Sequence, residues 1–466
     1  MRPKLLCLAA TLAFATATYG QTPGTGFPMY GSFDASPVDT VNRYDLDSVL
    51  TMPIVSGNGR GLGFQYSVSY NSLIWTIVNS QLLGSVWQPN LYGSSGNGPL
   101  PWGWNTVALA GATTYSQSST TCGFGTTTTY SGFLWVAPDG TQRSFPITTV
   151  QITGSCNGNP VSTGNAAASD GSGFHMWVTS YTQTEVVGPD GSQVYPTPKD
   201  TNGNYVSSSV NGSETDWTDS AGHLILKIVK SSSSIQYEVA APDGSYQTTT
   251  LNLTSQNIKT NFSCSGISET SFTANLPSSL VYPNGLQYTF AYEATPGNSG
   301  YVTGRLQKAT LPDGGYVQYT YGTTNDGISC TDGTILNVTR KVNDAGLWNV
   351  TSTWTFVRSQ NGSNWNTTIT YPQMPYDSAA NQSVYTFNSS AQETAHKVYQ
   401  GSSTSGTLLR TVNTTWASNG SPATAITILE DNSTQSEVET SFDSNGNLLS
   451  LKEHDWGSGA PGAVLR

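Results

Sequence analysis

Four histidines could do acid–base or metal chemistry in this chain: His175, His223, His396 and His454. They are scattered, none pairs with another at ligand spacing, and each reads as a surface or turn residue. Carboxylates are commoner, with 29 Asp and Glu among 466 residues. A glycosidase pair meets in space and leaves no sequence spacing to find. On a strand, Glu437 and Glu439 fall on one face, whereas the adjacent Glu430 and Asp431 point to opposite faces and cannot act as a pair. On a sheet such acids read as solvated-face or edge charges. No Gly-x-Ser-x-Gly elbow stands in a strand–turn–helix setting, and there is no His-Glu-x-x-His and no phosphate loop. Gly57-Asn-Gly59-Arg-Gly61 lacks the spacing of a dinucleotide site and reads as a turn. The expectation is a protein that is not an enzyme, with no cofactor and no metal.

Aromatic side chains are the other route to a site. Trp87, Tyr92, Trp102 and Trp104 cluster around the glycine-rich segment 93–103. Exposed Trp and Tyr faces stack on sugar rings, so these four are the candidate carbohydrate platform. Hydrophobic packing of large loops is the competing reading.

Cysteines give a third signal. Past Cys7 there are four: Cys122, Cys156, Cys264 and Cys330. An even number in an exported chain predicts disulfides, and four allow three pairings. Cys122–Cys156 with Cys264–Cys330 is favoured, because these close the shorter loops. No Cys-x-x-Cys spacing supports a zinc site.

The elements that must position these residues are strands. Phe64, Tyr66, Val68 and Tyr70 alternate with Gln65, Ser67, Ser69 and Asn71, the pattern of a strand with one aromatic and one polar face. Trp354 and Phe356, and then Trp365, Ile369 and Tyr371, repeat it. Residues 280–282 and 287–292 flank Asn284-Gly285 and read as a hairpin with a tight primed turn. A Pro-Asp/Asn-Gly unit recurs at Pro138, Pro189, Pro242, Pro283 and Pro312. Segments starting at Asp200, Asp219 and Asp443 have the form Asp-x-x-Gly; they lack the alternating acids and closing Glu of a calcium loop and read as hairpin turns.

Composition agrees. Only 10% of residues are charged, so the polar surface must be built from Ser, Thr, Asn, Gly and Gln. Forty-eight Gly and 23 Pro exclude a helical bundle or a large doubly wound fold, and 11% aromatics argue against disorder. A net charge of −11 argues against nucleic acid or an anionic membrane as partner. The fold class expected is all-β, an extended antiparallel strand array of irregular hairpins.

Residues 1–20 read as a signal peptide. Arg2 and Lys4 precede an apolar run over residues 5–14, too short to span a bilayer, and Ala15-Thr-Ala17 or Thr18-Tyr-Gly20 fits the cleavage site. No second apolar run has transmembrane length. The polar stretch 265–279 marks a boundary, giving an N-terminal β-rich region over 21–275 and a hairpin array over 276–466.

Several of these segments resemble the RHS / YD-repeat cell-surface proteins of bacteria. They are residues 53–64 running into Tyr70-Asn71-Ser72, residues 280–292, Thr295–Leu306 with its Gly304-Arg305, Leu311–Tyr321, and Gly457–Arg466. Phe442-Asp443-Ser-Asn-Gly446-Asn447-Leu-Leu449 is similar to a YD repeat with Phe for Tyr. Ser69 departs from the Arg of many relatives. The resemblance implies a spiralling β-shell, with cell-surface glycans or further repeats as partners. It also implies that the chain matches the N-terminal part of such a protein, as a short form or a fragment of a split gene. The function expected is an exported, non-catalytic shell or adhesion segment at the cell surface, in the medium or in the periplasm. The rivals are a carbohydrate-binding module and a polysaccharide-acting glycosidase.

Overall fold

The computed structural model describes residues 31–57, 62, 64–80, 84–89, 103–105, 110–138, 141–169, 172–241, 243–346, 350–418, 420–443 and 447–466. Residues 1–20, which read as a signal peptide, and Tyr92 and Trp102 lie outside them. Among the described residues the chain is nearly all strand, with one short 3-10 turn at Thr324–Gly327. The all-β expectation holds. No helix among them is long and apolar enough to cross a membrane.

Hairpin chemistry generates this architecture. In the unit at Leu311, the Leu311 N–H donates to Gly315 O at 2.7 Å and the Gly314 N–H donates back to Leu311 O at 3.0 Å. Asp313 accepts the Gly315 N–H at 2.9 Å. The same pattern closes the turns at Gly188, Ala241 and Tyr282. Pro presets the first corner, the Asx side chain satisfies the amide two residues on, and glycine takes the positive φ. At Asn284-Gly285 only the glycine has a positive φ, +82°. The primed two-residue turn expected there is therefore a longer loop with one left-handed residue, because Pro283 commits the first corner to negative φ. The Asp-x-x-Gly segments at Asp200 and Asp219 are hairpin turns too: Asp200 accepts the Asn202 and Asn204 amides and Asp219 those of Ala221 and His223. Of the third segment, whose residues 444–446 lie outside the described ones, Asp443 accepts the Asn447 amide.

These hairpins chain into one long meander. Among the described residues, 19 strands from Val206–Asn211 to Gly457–Ser458 form a single sheet in sequence order, omitting only the short strand Ile267–Ser268. The boundary expected at 275/276 is no break in it. Asn275 lies inside the strand Ser271–Val281, which pairs on both sides. The change of layer comes earlier in the chain.

Five strands before residue 106 form a separate sheet in the order Phe33–Ala35, Asp39–Asn42, Ser48–Gly57, Phe64–Asn71, Trp104–Asn105, while Trp75–Ser80 and Gly84–Pro89 pair with each other and with Ile267–Ser268 in a three-stranded sheet. The apolar residues of the five-stranded sheet, including Leu50, Met52, Tyr66, Val68 and Tyr70, share one core with Tyr237, Leu251, Leu306, Val317, Phe356 and Ile369 of the long sheet. Ser67 and Ser69 are buried as well, so the strand Phe64–Asn71 is not the half-solvated element its alternation predicts. Residues 112–195 build two four-stranded sheets around a second core of Phe133, Trp135, Phe145, Met176 and Val186.

Candidate functional site

Two of the segments that carry the family resemblance, Tyr70–Ser72 and Thr303–Leu306, meet between the N-terminal sheet and the long sheet. Tyr70 ends the aromatic face of its strand and is buried. Its hydroxyl oxygen accepts the backbone N–H of Leu306 at 2.8 Å. Burial pushes the Tyr70 phenol well up from its ordinary value. The next two residues turn to Asp47. Asn71 donates its side-chain amide to that carboxylate, and Ser72 donates both its N–H (3.1 Å) and its hydroxyl (3.0 Å). Trp75 then donates its indole N–H to Thr303 O at 3.0 Å.

Arg305 lies beside this joint, also buried. Its Nε donates to Glu293 at 2.8 Å, and one terminal nitrogen reaches Glu293 and Asp326, each at 2.7 Å. Its plane stacks on Tyr321, 3.9 Å from the ring centroid. Asp326 is held at φ +53°, after Asn325 at +48°, in a region that non-glycine residues seldom occupy. Burial, with Glu293 adding repulsion and Arg305 opposing, raises the Asp326 carboxyl to about 6. Two carboxylates thus share one guanidinium.

Two more arginines cross between the layers. Arg340 donates to Asp34 and reaches Asp39 at 3.5 Å, and Tyr319 donates its hydroxyl proton to Asp39 at 2.7 Å. Arg358 stacks on Trp365 (3.6 Å) and Tyr44 (4.9 Å) and donates to Thr334 at 2.6 Å. Asp45 is raised to about 7 by burial and by the neighbouring Asp47 charge. Arg340 thus takes its acids from the N-terminal layer, whereas Arg305 takes Glu293 and Asp326 from the long-sheet segment itself.

Glu430 and Asp431 are exposed and Glu437 and Glu439 half-buried, in keeping with solvated or edge charges, but other acids are not. Asp34, Asp39, Asp45 and Asp47 are buried, as are Arg143, Arg305, Arg340 and Arg358. A sequence signal for Arg358 existed. It shares strand parity with Trp354 and Phe356, which places it on the buried face. No such signal marked the acids, which lie in short strands and turns.

Of the four platform aromatics, Tyr92 and Trp102 lie outside the described residues, and the reading of Trp87 and Trp104 is corrected. Trp87 and Trp104 are 0% and 1% exposed, so neither ring can stack on a sugar from solvent. Trp104 packs between Tyr70 (5.1 Å) and Phe290 (4.7 Å), and Trp87 packs on Phe262 (5.1 Å). Gly333, at φ +80°, lies so close to Trp75 O that a Cβ there would come within 2.6 Å. The two layers need large apolar side chains at their contact, and these indoles fill that need.

The structure pairs Cys122 with Cys156 and Cys264 with Cys330, with Cα–Cα distances of 5.3 and 5.5 Å. The first pair ties the exposed end of a hairpin in residues 112–153. The second lies at the layer contact, near Phe262 and Trp87.

Two histidines depart from the surface reading. His396 stacks on Tyr385, 4.2 Å between centroids, and burial with the Arg43 and Arg410 charges lowers it to about 4. His454 meets Glu437 and Glu439. The ligand atoms of the three lie within 4.8 Å of one another, so ligand spacing absent from the sequence is present across strands.

No family model matches the chain, and no curated protein matches it. Among solved structures it is similar, at 10% identity and a TM-score of 0.17, to the crystal structure of TcdB2-TccC3 without its hypervariable C-terminal region. The match covers 92% of this chain and 27% of that one, so this chain spans little more than a quarter of that length. A TM-score this low carries no argument about fold or function.

Proposed function

We propose that the chain is an exported, non-catalytic surface or structural protein, a shell or adhesion segment of the RHS / YD-repeat kind. One observation carries this reading. Tyr70 and Leu306, from two segments on which the resemblance rests, bond one β layer to the other, with Trp75 donating to Thr303 O beside them, while Asn71 and Ser72 hold Asp47 and Arg305 holds Glu293 within their own layers. Glu293 and Asp326 likewise serve Arg305. The partners that follow are cell-surface glycans or further repeats, met by surfaces outside this joint.

Export is supported by the charged, apolar N-terminal segment and by two cysteine pairs at disulfide distance.

The test expresses the full chain in a Gram-negative host and fractionates the cells. The expected product is exported, begins at Thr18 or Gln21, carries four cysteines resistant to alkylation, and hydrolyses no member of a polysaccharide panel. An intact Met1 with free thiols in the cytosol defeats export. Polysaccharide cleavage that disappears in Glu293→Gln defeats the non-catalytic reading.

A further inference from the structure

The geometry points to a surface site for a divalent metal of the zinc class at Glu437, Glu439 and His454, a site beyond the structural role proposed above. Strand register builds it. In the pairing of Thr434–Phe442 with Leu448–Glu453, Val438 lies opposite Glu453 and Glu439 opposite Lys452. His454 continues the ladder, donating its N–H to Glu437 O at 2.9 Å. Glu437, Glu439 and His454 thus come to one face of the sheet.

The second observation is the state of the imidazole. Nδ1 lies 3.1 Å from the carbonyl oxygen of Gly462, and Nε2 lies 2.9 Å from Glu439 Oε1. Gly462 is itself fixed, donating its N–H to Asp455 O at 2.7 Å. Both ring nitrogens thus have an oxygen within hydrogen-bond distance, and a metal ion at the site would replace the direct contact between Nε2 and Oε1. A backbone carbonyl on the far nitrogen is the arrangement that orients ligating histidines. Lys452 holds Glu439 Oε2 at 2.9 Å and leaves Oε1 for the ion.

One imidazole and two carboxylates suit zinc, with the fourth position open to water. Calcium and magnesium favour all-oxygen shells with more ligands. Bound metal would pin the C-terminal return, residues 454–466, to the strand Thr434–Phe442.

The test is calorimetric titration of the purified, chelator-stripped full chain with zinc chloride, and separately with magnesium chloride. One saturable equivalent of zinc is expected, with no comparable magnesium binding. His454→Ala and Glu437→Gln should each weaken it by more than roughly 10–100-fold, the loss that follows removal of a mere outer-shell partner of a metal site. His223→Ala, at an exposed turn, should leave it unchanged, and circular dichroism should be the same for all. Absence of a saturable zinc equivalent overturns the proposal, as does full retention in folded His454→Ala or equal binding of magnesium.

Discussion

Leu306 donates its backbone N–H to the hydroxyl oxygen of Tyr70 at 2.8 Å, across 236 residues of sequence. The bond joins the N-terminal sheet to the long sheet inside the shared core. Tyr70→Phe keeps the ring packing against Trp104 and leaves the Leu306 amide buried without its acceptor. The expected cost is about 1–3 kcal/mol, the penalty for an unsatisfied buried donor. Urea unfolding should show a lower midpoint with an unchanged slope. An unaltered midpoint would remove this bond from the account of how the layers are held.

Arg305→Met should cost more, about 3–5 kcal/mol, because it strands Glu293 and Asp326 as buried charges. The triple variant Arg305→Met, Glu293→Gln, Asp326→Asn should recover part of that loss, since no carboxylate is then left unpaired. If the triple variant is no more stable than the single one, the charge argument fails and guanidinium packing on Tyr321 is the main term.

Asp326 and His396 should bend the pH dependence of stability in opposite directions. The Asp326 carboxyl is raised from 3.8 to about 6. Its contribution is fully present below the unfolded value and is lost as pH rises towards 6. His396 is lowered from 6.5 to about 4. The unfolded chain takes up that proton first, so stability is lost as pH falls from 6.5 through 4. Asp326→Asn should therefore make stability rise more steeply with pH over this window, and His396→Phe less steeply. Each change is on the order of 1 kcal/mol after solvent screening. Denaturant midpoints at pH 4, 5, 6 and 7 would decide it. A slope that moves the opposite way in either variant refutes that assignment.

The two cysteine pairs should not be equivalent. Cys264–Cys330 closes the longer loop, with a sequence separation of 66 against 34, and lies at the layer contact. Replacing both its cysteines by Ser should lower the stability of the main core by about 2–5 kcal/mol. Replacing Cys122 and Cys156 should leave that core unchanged and loosen the hairpin in residues 112–153. Hydrogen exchange resolved along the chain would show the difference; equal loss of protection throughout by both variants would contradict it.

The amount legible in sequence differed from element to element. The hairpins of the long sheet were readable because each is local: Pro312-Asp313-Gly314 contains its own corner, its own amide acceptor and its own left-handed residue. The alternation of Trp354 and Phe356 was readable for the same reason. The site residues were not. Trp87 and Trp104 look alike whether they face a sugar or Phe262 and Phe290, because an aromatic ring suits both places. Asp34 and Asp39 look like ordinary surface acids until Arg340 is set against them from about 300 residues away.

Sequence by itself determined the all-β class, the hairpin corners and the scarcity of charge. These follow from backbone preferences and period-two patterning, which act over a few residues. Tertiary structure decided where the few charges went. It placed Arg305, Arg340 and Arg358 inside, Arg305 against Glu293 and Asp326 and Arg340 against Asp34 and Asp39 from the distant N-terminal strands, and set His454 beside Glu437 and Glu439. Such placements depend on which strands stack and in what register, and a one-residue change of register would turn every one of those side chains to the other face.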